Sequence, residues 1–303
     1  MKALKDIIHK EIGSLPHSAK RIGGGYYADV YKFDCQNGEP IIVKVYKSAG
    51  VMQNEISQIE LLSKHSLFPM PNVLFSHMAD KEYDKDFIAM NYLKGENGGN
   101  IFYLSNAKRQ MLANQVTDNL IAFHSVKSPD GFGEIGSEQR YELWNEYYKE
   151  KASAILDMAL QLKNKGELSE YAYEVMQKAV SQFDKIFYLP VTEACLIHGD
   201  YNMWNIMADK HQCKVTAVID PCGCMWADRE YDLYQLNNAN GRHLRLLENY
   251  ASKIQLSENY KEKMAFYELF TEIEHYYKSG YPVVKKLVKK QADKLNSYLE
   301  KLL

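Results

Sequence analysis

The sequence predicts an α+β fold of two lobes, a small β-rich one over residues 1–93 and a larger helical one over residues 94–303. The first sign is a set of short apolar, β-branched runs concentrated in about the first ninety residues. The second is helical spacing of apolar residues over 115–124, 143–162 and 169–186, in a chain that reads as mainly helical from Ser105 onward. The third is the passage from Phe87-Ile88-Ala89-Met90 into Asn91-Tyr92-Leu93-Lys94-Gly95-Glu96, where an apolar strand gives way to a polar, glycine-containing hinge. A chain of 303 residues can fill two lobes, and 46% apolar with 25% charged residues is the balance of an ordinary soluble protein.

The N-terminal elements follow in order. Residues 1–9 read as a short amphipathic helix interrupted by charges, without the apolar core of a signal peptide. Arg21-Ile22-Gly23-Gly24-Gly25-Tyr26-Tyr27 is a glycine-rich turn flanked by β-formers. Gly23, Gly24 and Gly25 lack Cβ atoms and let the backbone approach phosphate oxygens, although a plain hairpin needs the same residues. Ile41-Ile42-Val43-Lys44-Val45-Tyr46 is a strand with one lysine, either a solvated edge residue or an inward cation. In the helix that follows, Ile56, Ile59 and Leu62 share a face. Glu55 lies beside that stripe and can pair with Lys44, whereas its rival Glu60 is nearer the outer face. Pro69, Pro71 and Val73-Leu74-Phe75 open another strand.

The second lobe holds the most informative stretch, Cys195-Leu-Ile-His198-Gly-Asp200-Tyr-Asn-Met-Trp204-Asn205-Ile, followed by Val218-Ile-Asp220. Leu196-Ile197, Asn205-Ile206-Met207 and residues 214–219 read as short strands, so the polar residues sit at the mouth of a strand–loop–strand hairpin. A lone Asp or Asn is most often a turn or capping residue. Asp220, however, ends an apolar run, where a carboxylate needs a cation or several donors. The spacing of Asp200, Asn205 and Asp220 is that of a kinase site: one carboxylate takes the proton of a substrate hydroxyl, and an amide and a second carboxylate hold Mg²⁺.

These residues resemble the aminoglycoside phosphotransferase and fructosamine kinase family, small-molecule relatives of protein kinases. The likeness spans roughly residues 20–240 and is most specific from His198 to Leu233, through Asp200-x4-Asn205 and Ile219-Asp220-Pro-Cys-Gly-Cys-Met-Trp226-Ala-Asp228-Arg-Glu-Tyr-Asp232-Leu233. It implies a protein-kinase-like fold, ATP or GTP with Mg²⁺, and γ-phosphate transfer to a hydroxyl. By the same resemblance Lys44 reaches the α- and β-phosphates, and backbone around Asn91, Tyr92 and Leu93 meets the adenine. His198 becomes a structural member of the catalytic loop, although a histidine base is chemically open. Asp232 either caps the helix it begins or anchors that loop. Trp204 stands where the family has a small residue or proline, and Ala227-Asp228-Arg229 where it often has Gly-Asp-Pro. Arg229-Glu230-x-Asp232 is similar to fructosamine kinases, while the separation of Asp220 from Asp232 is nearer the aminoglycoside branch.

The acceptor is less legible. The resemblance puts its pocket between the catalytic loop and helices of the large lobe, with Trp144, Glu146, Tyr147, Trp226, Asp228, Tyr267, Glu268, Glu272 and Glu274 as candidates. Acidic groups facing one cavity would favour an amine-bearing acceptor, whereas the bland alternative is a set of solvated helix faces. An aminated sugar ranks first, a fructosamine-type ketoamine second and a choline-like amino alcohol third. A nucleotide-binding pseudoenzyme and a protein kinase are the rival classes; the second lacks Asp-Phe-Gly and Ala-Pro-Glu segments. The net charge of −2 gives no basic footprint for nucleic acid, and no run is apolar for long enough to span a bilayer. Five cysteines, Cys35, Cys195, Cys213, Cys222 and Cys224, lack metal-site spacing and read as reduced and packed, so a cytoplasmic protein is expected.

Overall fold

Strand alternation in the first lobe sorts side chains onto two faces of one sheet. In this computed structural model, which describes residues 1–25, 27–36 and 38–302, Tyr26 of the glycine-rich turn and Leu303 lie outside the described residues. Helix α1 (Lys2–Ile12) precedes β1 (Pro16–Gly24), β2 (Ala28–Cys35) and β3 (Ile41–Tyr46). Helix α2 (Val51–Ser63) then leads to β4 (Val73–His77) and β5 (Phe87–Asn91). The strands form one antiparallel sheet in the order β1-β2-β3-β5-β4. Ile41, Val43 and Val45 of β3 pack with Leu4, Ile7 and Ile8 of α1. Tyr46 joins Met52, Ile56 and Ile59 of α2 on the other side. The period of two therefore puts Lys44 and Tyr46 together on the α2 side.

The second lobe opens with β6 (Glu96–Asn97) and α3 (Asn106–His124), whose Ser105 cap accepts the Lys108 amide. Strand β7 (Gly133–Glu134), α4 (Trp144–Asn164), α5 (Glu170–Ser181) and α6 (Phe183–Ile186) follow. The single helix expected over 169–186 is broken at Gln182 (φ −106°, ψ 17°), and Phe183 and Phe187 stack in the core with ring centroids 4.3 Å apart. Next come β8 (Cys195–Ile197), β9 (Ile206–Asp209), β10 (Lys214–Val218) and β11 (Met225–Ala227). The chain ends in α7 (Gly241–Leu244), α8 (Leu246–Ala251), α9 (Tyr260–Ser279) and α10 (Lys285–Leu299).

The hairpin expected around residues 198–205 forms differently. Strand β8 pairs with β11, and β9 pairs with β10 and β6, so the polar loop joins two small sheets. Burial of β8 against a partner later in the chain decides this, a choice that local alternation cannot register. The large core also reaches across residue 93, since Leu62 and Met70 pack within it.

One ionic cluster lies inside this core. Lys263 Nζ of α9 stands 2.7 Å from both Asp228 Oδ2 and Glu230 Oε2, with all three side chains almost wholly buried. Tyr267 donates to Asp228 (2.8 Å), Trp144 Nε1 donates to Tyr267 (2.7 Å), and Ser257 donates from N and Oγ to Glu230 (2.7 and 2.6 Å). Burial pushes Asp228 toward neutrality, but Lys263 more than offsets this and holds its pKa below the usual carboxylate range. Removing the lysine would strand two buried carboxylates. We expect Lys263→Met to cost about 3–5 kcal/mol of stability at pH 7. Because the folded pKa of Asp228 is lowered, the native cluster contributes above the unfolded pKa and loses its contribution as pH falls through the folded value. In the variant the stranded carboxylates take up protons instead, so the gap should narrow toward about pH 4. Urea midpoints for both proteins at the two pH values check this, and equal midpoints at pH 7 would refute it.

Candidate active site

A buried carboxylate shapes the loop after β8. Asp232, in the 3₁₀ segment Arg229–Asn237, is fully buried and accepts the His198 amide at Oδ2 and the Gly199 amide at Oδ1, both at 2.8 Å. It thus sits beneath the loop, and the helical cap nearby is Asp228, which accepts the Glu230 amide. His198 is fully buried, its Nδ1 accepts the Asp200 amide (3.3 Å), and burial lowers its pKa. Its imidazole has no route to a substrate. Gly199 adopts φ +83°, and a Cβ there would lie 2.2 Å from the Cys222 carbonyl oxygen, so this position excludes any side chain.

Asp200 is held by amides on both oxygens. Asn202 Nδ2 donates to Oδ1 (2.7 Å) and Asn205 Nδ2 donates to Oδ2 (2.8 Å) and to the Asp200 carbonyl (2.9 Å). Burial pushes its pKa up to about 7; the Asn205 hydrogen bond opposes the rise, and the charge of Asp220 adds to it. Sequence reasoning missed Asn202. Its signal was an amide two residues beyond the carboxylate, where a local side-chain hydrogen bond is a common option.

Asn205 and Asp220 arrive from different strands and meet through the backbone, since the Ile219 amide donates to the Asn205 carbonyl (2.9 Å). Asp220 has φ +56°, a strained conformation for a non-glycine residue, and its side chain is 51% exposed. From the first lobe, Lys44 Nζ reaches Asp220 Oδ1 at 2.5 Å and Glu55 Oε1 at 2.8 Å, while Glu60 is exposed. Burial works against the lysine's charge, but Asp220 and Glu55 outweigh it and raise its pKa. Burial raises the pKa of Glu55, opposed by Lys44. Tyr46 OH donates to Glu55 Oε2 (2.9 Å).

These residues fit a Mg²⁺-nucleotide. Asn205 commits Nδ2 to Asp200, which leaves Oδ1 as an acceptor, and the Asp220 carboxylate is half open to solvent. Among the described residues no cluster of three His, Cys, Asp or Glu side chains could hold a metal ion. Asn205 Oδ1 and the Asp220 carboxylate are the two oxygen donors that would hold Mg²⁺, which takes one or two protein ligands and completes its shell with water and phosphate. Gly23 and Gly24 end β1, and Gly25 turns toward β2 with its amide on the Ala28 carbonyl and its own carbonyl accepting Lys47 Nζ. At the hinge, Asn91 is occupied by Asn72, which donates its amide to Asn91 Oδ1 (2.7 Å); Tyr92 and Leu93 are half-buried.

Trp204 departs from the family pattern at a cost that another residue absorbs. Its indole lies against Gly99, where a Cβ would come within 2.4 Å of the ring, and Asn97 Nδ2 donates to its carbonyl. The ring stays 50% exposed.

The candidate acceptor residues do not converge. Trp144 and Tyr267 are fully buried in an aromatic core with Tyr148 and Tyr231, because their ring area is worth more inside than out, so they line no open pocket. Asp228 belongs to the Lys263 cluster. Glu268 pairs with Lys294 (2.8 Å), and Glu274 pairs with Lys151 (3.1 Å) and Lys278 (2.5 Å). Glu146 is exposed, while Glu272, Tyr147 and Trp226 are half-buried. The acidic cavity expected from the sequence is therefore not formed by Asp228, Glu268 and Glu274, each of which a lysine neutralises. One cavity of about 440 Å³ lies at the far end of β8, beside Cys195, Arg229 and Lys263, and none of Asp200, Asn205 and Asp220 lines it.

Comparison with known proteins places this geometry. The uncharacterized protein YcbJ of Escherichia coli (strain K12) is 19% identical over 253 residues, covering 82% of each chain. A candidate fructosamine-3-kinase from Thermobifida fusca matches in structure with a TM-score of 0.71, 18% identity and 99% of each chain covered. The aminoglycoside phosphotransferase APH(2″)-IIIa, solved with GDP and kanamycin, matches with a TM-score of 0.66 at 17% identity, over 100% of this chain and 97% of its own. At such identities the likeness is one of fold, and that fold is the two-lobed, kinase-like one. The family model of the phosphotransferase enzyme family matches residues 18–267, from the first strand of the sheet into α9. The chain belongs to that family, APH.

Proposed function

We propose that the chain is a small-molecule kinase that transfers the γ-phosphate of ATP or GTP to a hydroxyl of a small acceptor, with Asp200 as the base. The observation that carries this reading is the pair of amides, from Asn202 and Asn205, that aims the Asp200 carboxylate beside Asp220 and Lys44. Phosphoryl transfer asks for alignment and charge neutralisation more than for covalent help. Asp200 orients the acceptor oxygen and receives its proton. Lys44, steered by Glu55, and the glycine-rich turn at Gly23–Gly25 face the phosphates, and backbone at Asn91–Leu93 meets the base. Asp220 and Asn205 would hold Mg²⁺, which supplies positive charge to the phosphate oxygens when bound. Asp232 and His198 keep the loop in shape.

In this reading residues 1–93 form the nucleotide-binding lobe and residues 94–303 carry the catalytic loop, metal residues and acceptor pocket. For the acceptor, the structural neighbours supply the precedent: one holds kanamycin and another is a candidate fructosamine-3-kinase. An aminated sugar is accordingly our first choice and a ketoamine our second, with Tyr147, Trp226 and Glu272 as the half-buried candidates for its wall. Among the described residues no helix is long and apolar enough to cross a membrane.

The experiment is nucleotide turnover with ATP and GTP plus Mg²⁺ against aminoglycosides, fructosamines and amino alcohols. Asp200→Asn should lower acceptor-dependent turnover by at least about 10²-fold, the lower end of general-base contributions, with nucleotide affinity kept. Near-normal turnover in that variant would sink the assignment, and nucleotide binding without turnover for any acceptor would favour a pseudoenzyme. Asp220→Asn should weaken binding of Mg²⁺-ADP by about tenfold or more, while metal-free ADP binds as before. Calorimetric titrations with and without Mg²⁺ read this directly, and equal Mg²⁺-ADP affinities would remove Asp220 as a ligand.

A further inference from the structure

Tyr46 has no part in the nucleotide site as drawn from the motifs, yet its hydroxyl ends on the residue that steers the lysine. Lys44 and Tyr46 are two apart on β3, on the face that meets α2. From that face they divide one carboxylate between them. Glu55 Oε1 receives Lys44 Nζ at 2.8 Å, and Glu55 Oε2 receives Tyr46 OH at 2.9 Å. Tyr46 is almost wholly buried among Ala28, Met52, Ile56, Ile59, Ile88 and Met90, so its ring cannot swing away. Glu55 is buried as well, and these two groups donate to its two oxygens.

We propose that Tyr46 is a positioning residue for the nucleotide-binding lysine. The inference rests on the function proposed above. Lys44 is shared between Glu55 and Asp220. On that reading Asp220 would hold Mg²⁺ and Lys44 would turn toward the phosphates when a nucleotide is bound. Glu55 is then the lysine's remaining protein partner, and only a second, independent bond keeps that carboxylate from following the ammonium or turning away. The Tyr46 hydroxyl provides it. Burial, followed by the Glu55 charge, raises the phenol's pKa, so it remains a donor at every working pH. Without the hydroxyl, Oε2 would be an unpaired carboxylate oxygen in an apolar pocket.

Tyr46→Phe deletes one oxygen and keeps the ring that packs the core. Calorimetry with Mg²⁺-ADP should show affinity reduced by about tenfold, the scale of one hydrogen bond to a charged group. Thermal unfolding of the variant, followed in parallel, reports whether the lobe stays folded. The decisive readout is a double-mutant cycle with Glu55→Gln, in which adding Tyr46→Phe should change affinity by less than about twofold. A purely structural role for the hydroxyl would give the same loss in both backgrounds, and that result would overturn the proposal. So would Mg²⁺-ADP affinity in Tyr46→Phe within twofold of the parent while Glu55→Gln and Lys44→Met are impaired. Absence of Mg²⁺-ADP binding by the unaltered protein would overturn the function reading itself, and this inference with it. The failures are thus distinguishable.

Discussion

Two backbone amides pointing at one buried carboxylate hold the rest of the site in place. Asp232 is taken out of water completely and is tolerable there because the N–H groups of His198 and Gly199 meet its two oxygens. His124 stands 3.4 Å away with its other nitrogen on Tyr250, which extends the polar chain into α3 and α8. Because the amides are those of the two residues before Asp200, the direction of that carboxylate is set from beneath. The close fit of Gly199 against Cys222 and Gly223, and the bond from Ile219 to Asn205, join the loop of Asp200 to the segment that carries Asp220.

The second lobe uses buried charge in the same way. Asp228 and Glu230 lie in the stretch that resembles the family most closely, and both point inward to Lys263 rather than toward a ligand. The motif around them therefore records a folding constraint as much as a chemical one. It fixes the start of the 3₁₀ segment from which Asp232 projects, and so aligns the anchor for the loop that carries Asp200.

Legibility followed sequence distance and side-chain type. Short polar motifs with fixed spacing, such as Asp200-x4-Asn205, were readable because a loop of that length leaves the chain few choices. The β-rich first lobe and the helical second one were readable from periodicity. Strand partners were not: β8 joins β11 rather than its neighbour in the chain, and nothing in a three-residue apolar run specifies which edge it will find. Several acceptor candidates were misplaced for a similar reason. An aromatic or acidic residue on a helix looks the same in sequence whether it faces a cavity, a lysine or the core, and Trp144, Tyr267 and Glu268 went to the latter two. Tyr46 was legible in principle from strand alternation, but its role appears only when Glu55 is seen to have two oxygens to satisfy.

The sharing of Lys44 by two carboxylates has an electrostatic corollary. With Asp200 alongside, the mouth of the cleft sets three carboxyl groups beside one lysine, and burial pushes two of them, Asp200 and Glu55, toward their neutral forms. On the function proposed above, the phosphates of a nucleotide would meet a lysine there that two carboxylates already hold. A divalent cation held at Asp220 would add positive charge facing those phosphates. Metal and nucleotide uptake would then be thermodynamically linked, each increasing the affinity of the other.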